Sequence, residues 1–81
     1  MNQQEILAEV NKVFIRVFED PAIVVTPATV ARDVPRWDSL NHTILIARVQ
    51  EHFKVKFSLR EVMKLQNVGD MCVLLEKKLA G

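Results

Sequence analysis

Among the side chains with the chemistry of a nucleophile or a base, Ser39, His42, His52 and Cys72 are the ones to weigh first. Ser39 stands in Trp37-Asp38-Ser39-Leu40, ahead of an apolar stretch and behind a loop holding Pro21, Pro27 and Pro35. Asp38 is placed to cap a helix, which leaves Ser39 in the first turn. Backbone N–H groups and the helix dipole favour a phosphate attached at that point. As a catalytic nucleophile Ser39 is poorly equipped. His42 is three residues on and faces inward on a helical wheel, and His52 lies ten residues beyond His42 on neither apolar face. No Gly-x-Ser-x-Gly elbow surrounds the serine, and a short chain leaves little room for an oxyanion hole and a cleft. The chemistry that fits is acceptance: a hydroxyl modified by another enzyme. No catalytic residue is expected.

The remaining candidates read as structural. Cys72 falls on the apolar stripe of the last helix and is expected to be a small core residue. A single cysteine forms no internal disulfide, and the expected setting is a reducing cytoplasm. The two histidines have no third ligand near them, so no metal site is expected. Met63 and Met71 sit at helical positions and are expected to fill the core. Trp37 is expected to anchor the loop on the bundle. Lys54, Lys56, Arg60 and Lys64 read as a solvated face.

Helices must position these groups. Ile6, Leu7, Val10, Val13, Phe14, Val17 and Phe18 recur at helical spacing and predict a helix over residues 3–19. Residues 20–38 form a long loop, and loops of that length in a compact domain are usually functional. A second helix is predicted over 39–53. Lys54-Val55-Lys56-Phe57 alternates and reads as extended. Ser58-Leu59-Arg60-Glu61 is a capping-box pattern opening a short helix over 59–65. Asn67 caps a last helix over 68–79, with Val68, Met71, Cys72, Leu75 and Leu79 on its inner stripe. The second helix carries two apolar faces. His42, Leu45, Ile46, Val49 and Phe53 lie within about 50° of one direction, and Leu40, Thr43, Ile44 and Ala47 within about 60° of the other. One face packs on the first and last helices. The other is either covered by the loop and third helix or turned to solvent as a docking patch.

With 81 residues, the chain is expected to be one domain with one small core, an all-α four-helix bundle and a monomer. No apolar run approaches the roughly 20 residues that span a membrane. The polar start Met1-Asn2-Gln3-Gln4-Glu5 is not expected to be a signal peptide. Charge is uneven. Glu5, Glu9, Glu19 and Asp20 against Lys12 and Arg16 leave residues 1–20 at −2. Arg36, Arg48, Lys54, Lys56, Arg60 and Lys64 against Asp38, Glu51 and Glu61 leave residues 36–64 at +3. That bias is too weak to indicate nucleic acid.

Asp38-Ser39-Leu40, followed by Leu45-Ile46-Ala47-Arg48-Val49-Gln50-Glu51-His52-Phe53, resembles the acyl carrier protein family. The amphipathic first helix, long loop, short third helix and last helix come in that family's order. The resemblance implies a carrier rather than an enzyme. Ser39 would hold 4′-phosphopantetheine, installed from coenzyme A by a phosphopantetheinyl transferase with magnesium. The arm's thiol would carry acyl groups as thioesters between an acyl-loading ligase or acyltransferase and the synthase or transferase enzymes of fatty acid, polyketide or related biosynthesis. It further implies recognition through Asp38 and Leu40, partner docking on Leu40, Thr43, Ile44 and Ala47, and an acyl cavity lined by Leu45, Ile46, Val49 and Val68.

The chain departs from the strongly acidic fatty acid carriers. Asn41, Ile44, Arg48 and Gln50 stand where acids are common in them, so steering toward a basic partner should be weak. Trp37 replaces a small residue common before Asp-Ser. Asp33 to His42 is similar to free-standing carriers of small polyketide-like or cell-surface saccharide pathways. Two rival functions remain. One is an unmodified adaptor that uses only the Leu40, Ile44 and Ala47 patch. The other is a small helical nucleic-acid binder, against which the second helix offers a single basic residue, Arg48.

Overall fold

A computed structural model describes residues 1–80. Its helices are α1 (Gln3–Phe18), α2 (Ser39–Phe53), α3 (Leu59–Met63) and α4 (Val68–Ala80), with a single 3-10 turn at Ala31–Asp33 in the first loop. The described residues contain no strand. The four helices expected from periodicity are all present. α1 ends one residue early and α3 two residues early.

Local chemistry sets the boundaries. Asn2 caps α1: its Oδ1 accepts from the Glu5 N–H at 2.8 Å, and Glu5 Oε1 accepts from the Asn2 N–H at 2.9 Å. Glu19 closes α1 in the left-handed region at φ 52°, and Pro21 cannot extend the helix. Lys54 ends α2 in the same way at φ 56°. Val55 and Phe57 then turn partly inward while Lys54 and Lys56 stay exposed, as the alternation expects. Gln50 holds this segment, its Oε1 accepting from the Phe57 N–H at 2.8 Å. Ser58 and Glu61 form the expected capping box of α3. Asn67 Oδ1 accepts from the Asp70 N–H at 2.7 Å at the start of α4.

α1 is the central element, packed against both α2 and α4. The core joins Ile6, Val10, Val13, Phe14 and Phe18 of α1 to Leu45, Ile46, Val49 and Phe53 of α2 and to Val68, Met71, Cys72 and Leu75 of α4. Burying each of these side chains contributes about 1.5–3 kcal/mol. Two inward readings need correction. Leu79 is 38 % exposed and Met63 is 75 % exposed. Gln3, the first residue of α1, already reaches Glu76 Oε1 at 2.6 Å. Leu79 lies nearly a turn farther along α4, where α1 has ended and no longer covers it. Met63 is the last residue of the five-residue α3, and the inner contacts there are made by Val62 within the helix and Leu65 just beyond it.

The long loop is held at three places. Asn11 on α1 accepts from the Val25 N–H at 2.7 Å and donates to the Ile23 carbonyl at 3.2 Å. Val25 and Val34 enter the core. The first turn of α4 donates its Val68 and Gly69 N–H groups to the Thr29 and Pro27 carbonyls at 3.0 and 2.8 Å. Backbone groups that a helix leaves unpaired at its N-terminus are thus satisfied by the loop.

Candidate functional site

The site is the junction between this loop and α2. Asp38 caps α2, its Oδ1 accepting from the Asn41 N–H at 2.9 Å. The Asn41 amide reaches back to the Arg36 carbonyl at 2.7 Å. Arg36 occupies the left-handed region at φ 71°. That conformation costs a non-glycine residue about 1 kcal/mol. Its guanidinium offsets the cost by donating to the Phe18 carbonyl at the end of α1. The turn that presents Ser39 is therefore tied to α1 through Arg36 and to α2 through Asn41.

Trp37 is the anchor the sequence suggests. Its ring meets Phe14 edge-on, with centroids 5.0 Å apart and planes at 84°, and also touches Phe18 at 6.4 Å. Its Nε1–H donates to His42 Nδ1 at 2.9 Å. His42 is therefore only half-buried, on the loop side of α2 rather than in the core the wheel assigned to it. Burial lowers its pKa below the usual 6.5.

Ser39 is exposed and is the first residue of α2. Its side chain makes no hydrogen bond within the described residues, while its carbonyl accepts from Thr43 Oγ1 at 3.1 Å. Neither histidine bonds to it. His42 is committed to Trp37, and His52 pairs with Glu9 at 2.8 Å across α1 and α2. No base is poised to ionise the hydroxyl. What the geometry offers is an uncommitted, accessible hydroxyl at the positive end of a fifteen-residue helix. Those features fit a phosphodiester joined to Ser39 Oγ, because the site is open to solvent and the dipole opposes none of the added charge. Among the described residues no three His, Cys, Asp or Glu side chains gather to hold a metal.

The other candidate residues separate into two sets. Leu40 is 71 % exposed and Ile44 39 % exposed, and Thr43 and Ala47 are also exposed. These four share the solvent side of α2. Leu45, Ile46 and Val49 on the opposite side of α2, and Val68 at the start of α4, are packed into the core, with at most 6 % of any of them exposed. A groove of about 460 Å³ between α1 and α2 includes Ile44, Val13, Val17, Arg16 and Arg48. Arg16 was not singled out in the sequence, because its place beside Arg48 depends on how α1 packs on α2. Cys72 is buried on α4, and burial pushes its thiol up to about 11. No helix among the described residues is long and apolar enough to cross a membrane.

Comparison with known proteins adds to this geometry. A family described as the phosphopantetheine attachment site matches residues 37–75, which contain Trp37, Asp38 and Ser39, all of α2 and α3 and the first part of α4. A curated acyl carrier protein from Thermosynechococcus vestitus is 36% identical over 82 residues, covering 100% of both chains. The solution structure of a holo acyl carrier protein from Geobacter metallireducens superposes with a TM-score of 0.86 at 47% identity, over 91% of this chain and 85% of that one. With full-length similarity of this degree and an attachment-site match that begins just before the start of α2, the chain belongs to the acyl carrier protein family, whose members are carriers bearing a covalent phosphopantetheine and not enzymes.

Proposed function

We propose that Ser39 is the attachment residue and that the protein is a free-standing carrier for a specialised biosynthetic pathway. The observation that carries the first part is the exposed, unbonded Ser39 hydroxyl at the capped start of α2, inside the matched attachment-site region. In the loading step Ser39 Oγ attacks the β-phosphorus of coenzyme A. The bond to the bridging oxygen breaks, 3′,5′-ADP leaves, and the serine proton passes to a base of the transferase. The chain's own residues supply position. Asp38 holds the first turn, and Arg36 and Asn41 fix the turn before it. The arm's terminal thiol then carries the acyl group as a thioester, which keeps the acyl carbon electrophilic. Tethering raises the local concentration of cargo at each docked enzyme.

The second part rests on the surface of α2. Leu40, Thr43, Ile44 and Ala47 form an exposed face with no carboxylate, and Arg48 stands one turn beyond Ile44. Apolar contact at such a face suits loading and transferring enzymes that do not rely on basic steering. Leu45, Ile46, Val49 and Val68 form the part of the core that an acyl chain would enter if the helices part. Cargo is carried in the cytoplasm, where the transferase and coenzyme A are available.

The test is intact mass after incubation with coenzyme A, magnesium and a broad-specificity phosphopantetheinyl transferase. A gain of one phosphopantetheine on the wild type and none on Ser39→Ala is expected. No gain with several transferases would sink the reading and favour an adaptor that uses the fold for binding alone. Loading by acyl- and aminoacyl-ligases tests the pathway. Acceptance by fatty acid enzymes only would overturn the specialised role.

A further inference from the structure

Ser39 shares a shallow cavity of about 450 Å³ with Trp37, His42, Thr43 and Ala31. Within it, the Trp37–His42 contact has a chemical consequence. An indole N–H only donates, so His42 Nδ1 must be the acceptor of the 2.9 Å bond. A neutral imidazole carries one proton, and here that proton must sit on Nε2. The planes of the two rings are inclined by 23°, with centroids 5.9 Å apart. That spacing suits a bond in the ring plane rather than face-to-face contact. Trp37 itself is held by Phe14 and Phe18 of α1, so the imidazole is braced against the bundle. Lowering of the His42 pKa by burial keeps the ring neutral at pH 7 and the Nδ1 lone pair available.

The remaining donor, Nε2–H, has no acceptor among the described residues. No buried side-chain nitrogen or oxygen lacks a partner, so Nε2 must be open to solvent. His42 is also three residues after Ser39, one turn along the same helix face.

We propose that His42 is a positioning residue for the phosphodiester on Ser39, donating Nε2–H to a phosphate oxygen from a tautomer that Trp37 fixes. It acts on the loaded carrier and needs no base or charge. It would hold the root of the arm against the first turn of α2 beside the unpaired N–H groups there. This inference rests on Ser39 being the attachment residue.

The test is NMR on apo and loaded protein, with loading verified by intact mass. In the apo protein, nitrogen-15 shifts of His42 are expected to report the Nε2–H tautomer. In Trp37→Phe, which keeps an aromatic ring against Phe14 and removes the N–H, the two tautomers are expected to mix. On loading, the His42 Nε2–H resonance is expected to move and its exchange with water to slow. The phosphorus-31 resonance is expected to shift in His42→Phe and to return toward the wild-type position in His42→Gln, whose amide restores a donor. An Nδ1–H tautomer in the apo protein would overturn the proposal. So would loaded protein with an unmoved His42 signal and the same phosphorus resonance in wild type and His42→Phe. Failure of wild type to gain the arm would overturn the attachment reading and this inference with it.

Discussion

The Gly69 N–H donates to the Pro27 carbonyl at 2.8 Å, and a Cβ placed on Gly69 would lie 2.9 Å from that same oxygen. The start of α4 and the long loop meet with no room for a side chain between them. Gly69→Ala would gain up to about 1 kcal/mol of helix propensity. Against that stands a backbone oxygen that cannot rotate away, and overpacking of this kind costs about 1–3 kcal/mol. Net destabilisation is expected, measured as a lowered thermal midpoint. The loop leads to Ser39, so the rate of phosphopantetheine transfer should fall as well. A variant with an unchanged or higher midpoint would show that the loop yields freely.

The two faces of α2 should separate by mutation. Ile44→Glu places a carboxylate on a half-exposed position four residues before Arg48, an arrangement that stabilises helices by about 0.2–0.5 kcal/mol. The fold should survive and the arm should load, while docking to a loading ligase weakens by about 1–2 kcal/mol, read as a 5- to 30-fold rise in KM. Leu45→Ala removes a fully buried side chain and should cost about 2–5 kcal/mol of stability. Unfolding by Ile44→Glu would remove the basis for assigning that face to partners.

Acid should weaken the bundle in two windows. His42 is protonated less readily in the folded state than its usual 6.5, so the unfolded chain binds more protons just below that pH. Stability is therefore full above pH 6.5 and is lost as pH falls through the folded value. Glu9 and Glu61 are held below 4.5, Glu9 by Lys12 and His52, Glu61 by Ser58 and Lys78. Their contribution is present above 4.5 and disappears only in stronger acid. Urea unfolding between pH 7 and 5 should show the first loss, and His42→Gln should flatten it. A slope unaltered by that substitution would count against the assignment.

Cys72 should be inert to thiol reagents. Its thiol is buried and its pKa is raised to about 11 by desolvation, so thiolate is scarce at pH 7–8. Maleimide labelling of the folded apo protein should be slow and should accelerate in denaturant. After loading, rapid labelling should appear at one equivalent, on the arm. Fast labelling of apo protein would show that α4 opens more readily than its packing indicates.

The helices and their order were legible because their causes are local. Capping residues at Asp38, Ser58 and Asn67 and the apolar spacing of α1 act within one or two turns of chain. The inward assignment of Met63 and Leu79 failed for the opposite reason. A five-residue helix has too few turns for its spacing to define a face, and a stripe on α4 stays buried only as far as α1 extends beside it. The sequence placed Ser39 correctly at the start of α2 but assigned His42 to the core. A wheel knows the direction of a side chain and not what a neighbouring loop brings to meet it.

By itself, then, the sequence determined the four-helix order, the cap that presents Ser39 and the family to which the chain belongs. Only the tertiary structure decided that Arg36 braces the presenting turn on α1, that Trp37 fixes the His42 tautomer, and that α4 admits the loop at Gly69. The physical reason is that each of these joins groups on separate elements. Their meeting depends on packing of the whole bundle, which no local pattern records.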